Sequence, residues 1–262
     1  MNKKYHLISS PAAKAIELEP RIKKVLNQSL QEVSDPKQAD YLFINGGDGT
    51  FIKQAVQHDR EGLKIIGING GTLGFYTSFN EENIDQIVDC LDKLPYNNLD
   101  FIKLKVEDQT FYAINEFNIN STTAYGYDIY FNDLFYEKFR GTGLLISTRT
   151  GSTGITKSAH GAILFPGLNA IEIVEMNPLL HSSFVTIQSP IILPIDTKIR
   201  IEIKENYCAG EACPRIICDG AVIKKGLSST CIEVDAIKSK SQFVFANDLA
   251  SFIERLQKTF IY

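Results

Sequence analysis

YLFINGGDGTF, residues 41–51, decides how the first part of this chain folds. Tyr41–Asn45 is a short apolar run with aromatic character, which reads as a buried strand. Gly46, Gly47 and Gly49 then surround one carboxylate, Asp48. Beyond Thr50, the residues Phe51, Ile52 and Val56 recur at helical spacing. A strand, a glycine turn and a helix start make an anion site, because exposed N–H groups and the helix dipole point at the turn. Glycine lets the backbone approach a phosphate with no Cβ in the way. A carboxylate beside a phosphate is repelled unless it has a task. Two tasks suit it: accepting a proton from a hydroxyl, or holding Mg²⁺. A plain left-handed turn would explain two glycines, but the full GGDGT run after a strand reads as a phosphate-handling loop.

Around this stretch the pattern alternates strand and helix. Residues 5–9 predict a strand, Ser10-Pro11 opens a helix to about Leu30, and residues 63–69 form a continuous apolar strand. Residues 80–94 carry Ile84, Ile87, Val88 and Leu91 at amphipathic helical spacing. Such alternation implies a parallel sheet with ligands beyond the carboxyl ends of its strands, where glycine loops 46–49 and 70–74 fall. The turn-rich segment at 95–99 marks a boundary. Short β-like segments follow at 100–106, 110–121, 127–131, 134–140, 143–147, 184–188, 198–204, 216–222 and 230–234, which predict a β-rich second domain. The tail, 247–260, reads as an amphipathic helix with Asn247 as N-cap.

Composition narrows the function. The chain has 262 residues, 44% hydrophobic and 22% charged, enough for one large or two modest soluble domains. A formal net charge of −4 argues against a dedicated nucleic-acid binder, so an anionic substrate is held by local N–H groups and single cations. MNKKYHLISS lacks a long apolar segment, so no signal peptide is expected, and no apolar run is long enough to span a membrane. Cytoplasmic localisation follows as an expectation. Five cysteines without a CxxC pair, and four scattered histidines, complete no metal site and read as reduced thiols in a cytosolic protein.

GGDGT resembles the signature of the superfamily that holds NAD kinases, phosphofructokinases and diacylglycerol or sphingosine kinases. Three further blocks resemble the NAD kinases: Asn69-Gly-Gly-Thr-Leu-Gly-Phe75, Ala113-Ile-Asn-Glu116, and the run from Phe139 through Ser158 to Ala-His-Gly161 with its GTGLLISTRTGSTGITKS core. Smaller echoes are Ser189-Pro190, Cys218-Asp219-Gly220 and Ser251-Phe-x-x-Arg-Leu256. The resemblance is to short bacterial NAD kinases and spans nearly the whole chain. It implies an N-terminal Rossmann-like parallel α/β domain (1–98) that takes the phosphate donor. It further implies a β-sandwich-like NAD-binding domain (99–236) and a C-terminal segment (237–262) packing back on the first. The activity implied is phosphoryl transfer from ATP, or polyphosphate, to the adenosine-ribose 2′-hydroxyl of NAD.

The same resemblance implies site roles. Asp48 is the base; Gly46, Gly47, Gly49 and Thr50 cradle donor phosphates; Asn115, assisted by Glu116, fixes the ribose. Phe75 sits near adenine, and Thr150, Thr153 and Ser158 complete the dinucleotide pocket. Phe51, Gly74 and Arg140 join the binding set. Mg²⁺, or another divalent cation, is bound mainly through donor phosphates, and no protein ligand set for it is expected. A homo-oligomer, dimer or tetramer, is implied, with no nucleic-acid or membrane partner. The chain departs from the family pattern at Thr142 (usually Asp), Arg149 (Pro), Gly154-Ile155 (Ala-Tyr) and His160 (Gly). Arg149 adds a cation able to meet phosphate. Two alternatives stay open: a non-catalytic NAD(P)(H) sensor, supported by the changes at Thr142 and Ile155, and a diacylglycerol-type lipid kinase, which the Asn-Glu and NGGTLGF blocks oppose.

Overall fold

The computed structural model describes residues 3–70, 74–180, 185–204 and 213–261. The chain divides into two compact units, Met1–Leu99 with Lys238–Tyr262, and Asp100–Ile237.

The first unit begins with β1 (Lys4–Ser9), α1 (Ala13–Leu26), β2 (Gln31–Glu32), β3 (Tyr41–Asn45), α2 (Asp48–His58), β4 (Lys64–Asn69), β5 (Thr77–Asn80) and the short α3 (Ile87–Cys90). All five positions of β3 are buried, as a central strand covered on both faces requires. The stretch 80–94 is not one helix. It is a 3₁₀ turn at Ile84–Gln86, the four residues of α3, and a second 3₁₀ turn at Leu91–Lys93. The apolar stripe still does its work, since Ile84, Ile87 and Leu91 are buried. Asn80 and Asn83 explain the interrupted start: the Asn83 side chain accepts from the Asn80 N–H at 2.8 Å, and Asn80 from that of Glu82 at 3.1 Å. These local bonds compete with the helix ladder.

The second unit holds β6 (Asp100–Val106), β7 (Gln109–Ala113), β8 (Glu116–Phe131), β9 (Leu134–Thr148), the short α4 (Ile155–Ser158), β10 (Ala170–Met176), β11 (Ile191–Pro194), β12 (Ile199–Ile203), β13 (Arg215–Cys218), β14 (Ala221–Lys225) and β15 (Cys231–Lys238). Among the described residues these strands form one ten-stranded, antiparallel sheet, ordered β11-β10-β9-β8-β12-β15-β6-β7, with β13 joined to β8 and β14. Side chains from β6, β8, β9, β10, β12 and β15 share one apolar core, so the sheet packs against itself.

Several segments differ from the sequence expectation. Residues 110–121 and 127–131 are separate in the pattern, but β8 is one long strand with a register shift between Asn120 and Tyr125. The 216–222 segment is a hairpin turning at Asp219 and Gly220, whose φ values are 44° and 82°. β10 has no counterpart in the expected strands. Phe184 lies outside the described residues, and 185–188 carries no strand.

The chain then supplies β16 (Gln242–Val244) and α5 (Leu249–Phe260) to the first unit. Its parallel sheet runs β16-β4-β3-β1-β2, with β5 beside β4. The N-cap of α5 is Asp248, not Asn247: its carboxylate accepts the Ser251 N–H at 2.9 Å. Among the described residues no helix is long and apolar enough to cross a membrane. Cys90, Cys218 and Cys231 are free thiols, whereas Cys213 is disulfide-bonded, which corrects the expectation of reduced cysteines throughout; Cys208 lies outside the described residues.

Candidate active site

In the first unit the site is built at the end of β3. The Gly46 N–H donates to the Ile68 carbonyl at 2.8 Å, tying the turn to β4. A Cβ on Gly46 would come within 3.0 Å of Thr50 and 3.1 Å of Ser10, so a larger residue here would push on both side chains. Gly47 and Gly49 differ, because a Cβ on either meets nothing within 4 Å. α2 begins at Asp48, and its first turn leaves the amides of Asp48, Gly49 and Thr50 without intrahelical acceptors. Their positive end faces the open side of the glycines.

Asp48 is half-buried, and its carboxylate accepts the Phe75 N–H at 2.8 Å and the Tyr76 N–H at 3.0 Å. The second glycine loop thus closes on the first. Gly74 permits this approach, for a Cβ there would stand 2.3 Å from an Asp48 carboxylate oxygen. Arg255 of α5 donates to the Gly74 carbonyl and reinforces the contact. Burial pushes the Asp48 carboxyl above its ordinary value, while the two amides and the Arg255 charge pull it back. Burial also lowers the Arg255 guanidinium.

The two phenylalanines sort differently. The Phe51 ring is fully buried, stacked 5.5 Å from Tyr76 and edge-on to Phe243 at 6.0 Å, and its N–H is spent on Gly47. Phe51 packs in the core. Phe75 is half-buried, with its ring 5.8 Å from Phe252 and 6.3 Å from Phe260 of α5. Gly71, Thr72 and Leu73 of the second loop lie outside the described residues.

In the second unit, Asn115 occupies the bend between β7 and β8, and Glu116 starts β8. The N–H groups of Ile114, Asn115 and Glu116 donate to the Asp219 carboxylate at 2.8, 2.8 and 3.1 Å. On the carbonyl side, the Thr148 hydroxyl donates to Ile114 at 2.6 Å and the Thr148 N–H to Asn115 at 2.9 Å. The hydroxyl-rich turn after β9 lies on this bend. A Cβ on Gly151 would stand 2.1 Å from the Asn115 carbonyl oxygen, and one on Gly154 3.3 Å from Glu116 Oε2. Glu116 is 7% exposed, and Oε2 has no hydrogen-bond partner. Burial, then the neighbouring Asp219 charge, lifts its carboxyl to about 8.

The hydroxyls expected in the pocket divide. Thr150 and Thr153 face into their own turn: Thr150 Oγ1 pairs with Thr148 Oγ1 at 3.1 Å, and Thr153 donates to the Thr150 carbonyl at 3.2 Å. Ser158 is exposed and lines a cavity of about 460 Å³ with Ile155, His160, Met176, Asn177 and Gln188. Arg140 lies in mid-β9 opposite Gly126, its carbonyl accepting from Leu179 at 2.7 Å. The departures have definite settings. The Thr142 hydroxyl donates to the Met176 carbonyl at 3.2 Å and accepts from Asn177 at 2.9 Å. Arg149 is buried, 7% exposed. His160 stands at φ 63°, a conformation that glycine adopts without strain.

Glu175, on the cavity wall, accepts from the Thr186 hydroxyl at 2.7 Å and the Gln188 N–H at 3.2 Å, and its carboxylate acts on that of Glu137. Burial and then Glu175 raise the Glu137 carboxyl well above the carboxylate range. The folded state therefore holds a proton that the unfolded chain has released, and stability falls as pH rises from the ordinary carboxylate range toward neutrality. Glu137→Gln is expected to flatten that slope in urea unfolding measured across the window; an unchanged slope contradicts the raised Glu137 carboxyl.

Sequence reasoning missed the roles of Asp219 and Arg255. Asp-Gly announces a turn, and an arginine in a terminal amphipathic helix announces a solvated face. Neither signal names a partner more than 100 residues away.

A GGDGT turn on a parallel α/β sheet, in a chain whose antiparallel domain carries the Asn-Glu bend, defines a GGDGT-type kinase. The ATP-NAD kinase N-terminal domain model matches residues 8–93, and the ATP-NAD kinase C-terminal domain model matches residues 113–246. The chain belongs to the NAD kinase family. It is 70% identical over 262 residues to an NAD kinase of Mycoplasmoides gallisepticum, covering 100% of this chain and 96% of the relative. With an NAD kinase of Mycoplasma genitalium it shares 38% identity over 248 residues, 92% of this chain and 95% of that one. The fold matches the crystal structure of yeast NADH kinase complexed with NADH (TM-score 0.81, 18% identity, covering 98% of this chain and 87% of that one). It also matches an NAD kinase from Archaeoglobus fulgidus in complex with ATP (TM-score 0.73, 18% identity, covering 99% and 97%).

Proposed function

We propose that this chain transfers the terminal phosphoryl group of ATP, or of polyphosphate, to the 2′-hydroxyl of the adenosine ribose of NAD⁺, giving NADP⁺. Family membership supports the activity, and Asp48 carries the chemical reading: a half-buried carboxylate at a helix start whose flanking glycines have open space beside them. Gly47, Gly49 and Thr50 present amides to the donor phosphates, and Gly46 keeps the turn tight. Asp48 accepts the 2′-hydroxyl proton as the P–O bond forms. Each of its oxygens has one amide partner and retains further acceptor capacity. Asn115 donates to one ribose hydroxyl and accepts from its neighbour, and Glu116 assists. Phosphoryl transfer asks for this positioning and charge neutralisation more than for covalent chemistry.

Among the described residues no group of three or more His, Cys, Asp or Glu side chains forms a metal site. The family resemblance supports a divalent cation, Mg²⁺ in the first instance, as a companion of the donor phosphates, whose charge it neutralises. Family resemblance also supports a cytoplasmic homo-oligomer, dimer or tetramer, which sedimentation of the purified protein measures.

A coupled assay with NAD⁺, MgATP and an NADP⁺-specific dehydrogenase tests the reading. NADP⁺ formation that stops on chelation is expected; bound NAD⁺ without product would make the chain a sensor. Arg255→Met tests the setting of Asp48. Removing the positive neighbour raises the proton affinity of Asp48, so the acidic limb of the turnover–pH profile moves to higher pH. An unmoved limb removes Arg255 from that role.

A further inference from the structure

We propose that Asp219 is a positioning residue for the acceptor half of the reaction: by accepting three successive backbone N–H groups, its carboxylate holds the Asn115–Glu116 bend in the form that grips the ribose. The proposal rests on the NAD kinase reading above.

Asp219 and Gly220 are the two residues joining β13 to β14, and their φ values of 44° and 82° are those of a two-residue hairpin of the primed type. The turn alone asks only for Asn or Asp followed by Gly. The three amides ask for more. Oδ2 accepts from Ile114, and Oδ1 accepts from both Asn115 and Glu116. The Asp219 N–H returns a bond to the Glu116 carbonyl at 3.1 Å, so the two segments are linked reciprocally. Hydrogen bonds to an ionised carboxylate are roughly twice as strong as neutral ones, and three together fix the backbone of a short bend. Thr148 holds the same bend from its carbonyl side, leaving it little freedom.

The carboxylate also sets the field around Glu116. The titratable groups that act there are Asp219 and, from the same hairpin, Cys218. An ionised Asp219 favours the protonated form of buried Glu116, so backbone placement and the Glu116 proton depend on one side chain.

Asp219→Asn separates the turn from the clamp. Asn serves the primed turn equally well, but its NH₂ must oppose at least one of the three amides. The expected result is a KM for NAD⁺ raised on the order of tenfold, the size of losing a charge-assisted hydrogen bond, with the KM for ATP close to wild type. The pH dependence of NAD⁺ binding shifts to lower pH, because Glu116 loses a negative neighbour. An unchanged KM for NAD⁺ and an unmoved pH profile overturn the proposal. An activity-independent arm compares the amide resonances of Ile114, Asn115 and Glu116: in the wild type they are protected from exchange, and in D219N they move. If the wild type makes no NADP⁺, the kinase reading falls while this arm still decides the clamp. Rapid exchange at these amides in the wild type overturns it even if D219N fails to fold.

Discussion

Asp48→Asn lowers turnover by about 10²–10⁴ while NAD⁺ still binds, if Asp48 accepts the 2′-hydroxyl proton. The substitution keeps size and shape and removes the ability to take a proton. It also changes the tether to the second glycine loop, since only one amide–carbonyl bond to Phe75 or Tyr76 can survive beside an NH₂ group. The two effects are separable. Loss of the tether displaces the loop and weakens ligand binding, whereas loss of the base lowers kcat with binding preserved. Burial raises the Asp48 carboxyl, the direction that suits a general base, while the Tyr76 and Phe75 amides and then Arg255 oppose the rise. Direct titration of NAD⁺ alongside steady-state turnover checks the prediction. Turnover equal to wild type would remove Asp48 from proton transfer.

Gly151→Ala has the second large effect, confined to the acceptor. Its Cβ would lie 2.1 Å from the Asn115 carbonyl oxygen, 2.5 Å from the carbonyl carbon and 2.7 Å from Cα. These are backbone atoms, so no side chain can swing away to make room. Either the 150–153 turn lifts from the bend or Asn115 moves, and displacement of about 1 Å at such a residue costs on the order of 10² in rate. The Gly151 N–H also donates to Thr148 Oγ1 at 3.0 Å, a bond that the shift would lengthen. The expected result is a large loss in kcat/KM for NAD⁺ with ATP binding retained, read by varying each substrate in turn. An unchanged kcat/KM for NAD⁺ would mean that the turn and the bend are not coupled.

What the sequence reveals and what it hides follow from how local each signal is. The β3–turn–α2 segment is legible because its burial, its glycines and its helical spacing all lie within sixteen residues, 41–56. The α5 helix is legible from its spacing, although its cap is Asp248, one residue beyond the expected Asn247, as the Ser251 bond shows. β10 escapes notice because Glu172 sits in the middle of it, fully buried, with its carboxylate bound to the Ala162 N–H. A buried acid breaks the apolar pattern that marks a central strand. Phe51 and Phe75 both follow glycine turns in the sequence, yet only the packing of Tyr76 and Phe243 assigns Phe51 to the core. Asp219 reaches the Asn115 bend from a hairpin 104 residues downstream, a distance that local pattern does not bridge.

The most direct test of the central claim is product analysis. The purified chain is incubated with NAD⁺ and MgATP, and the mixture is resolved by ³¹P NMR. The account predicts a new phosphomonoester on the 2′ position of the adenosine ribose, formed one for one with ADP. NAD⁺ bound to the protein, with neither ADP nor a new monoester appearing, would contradict it.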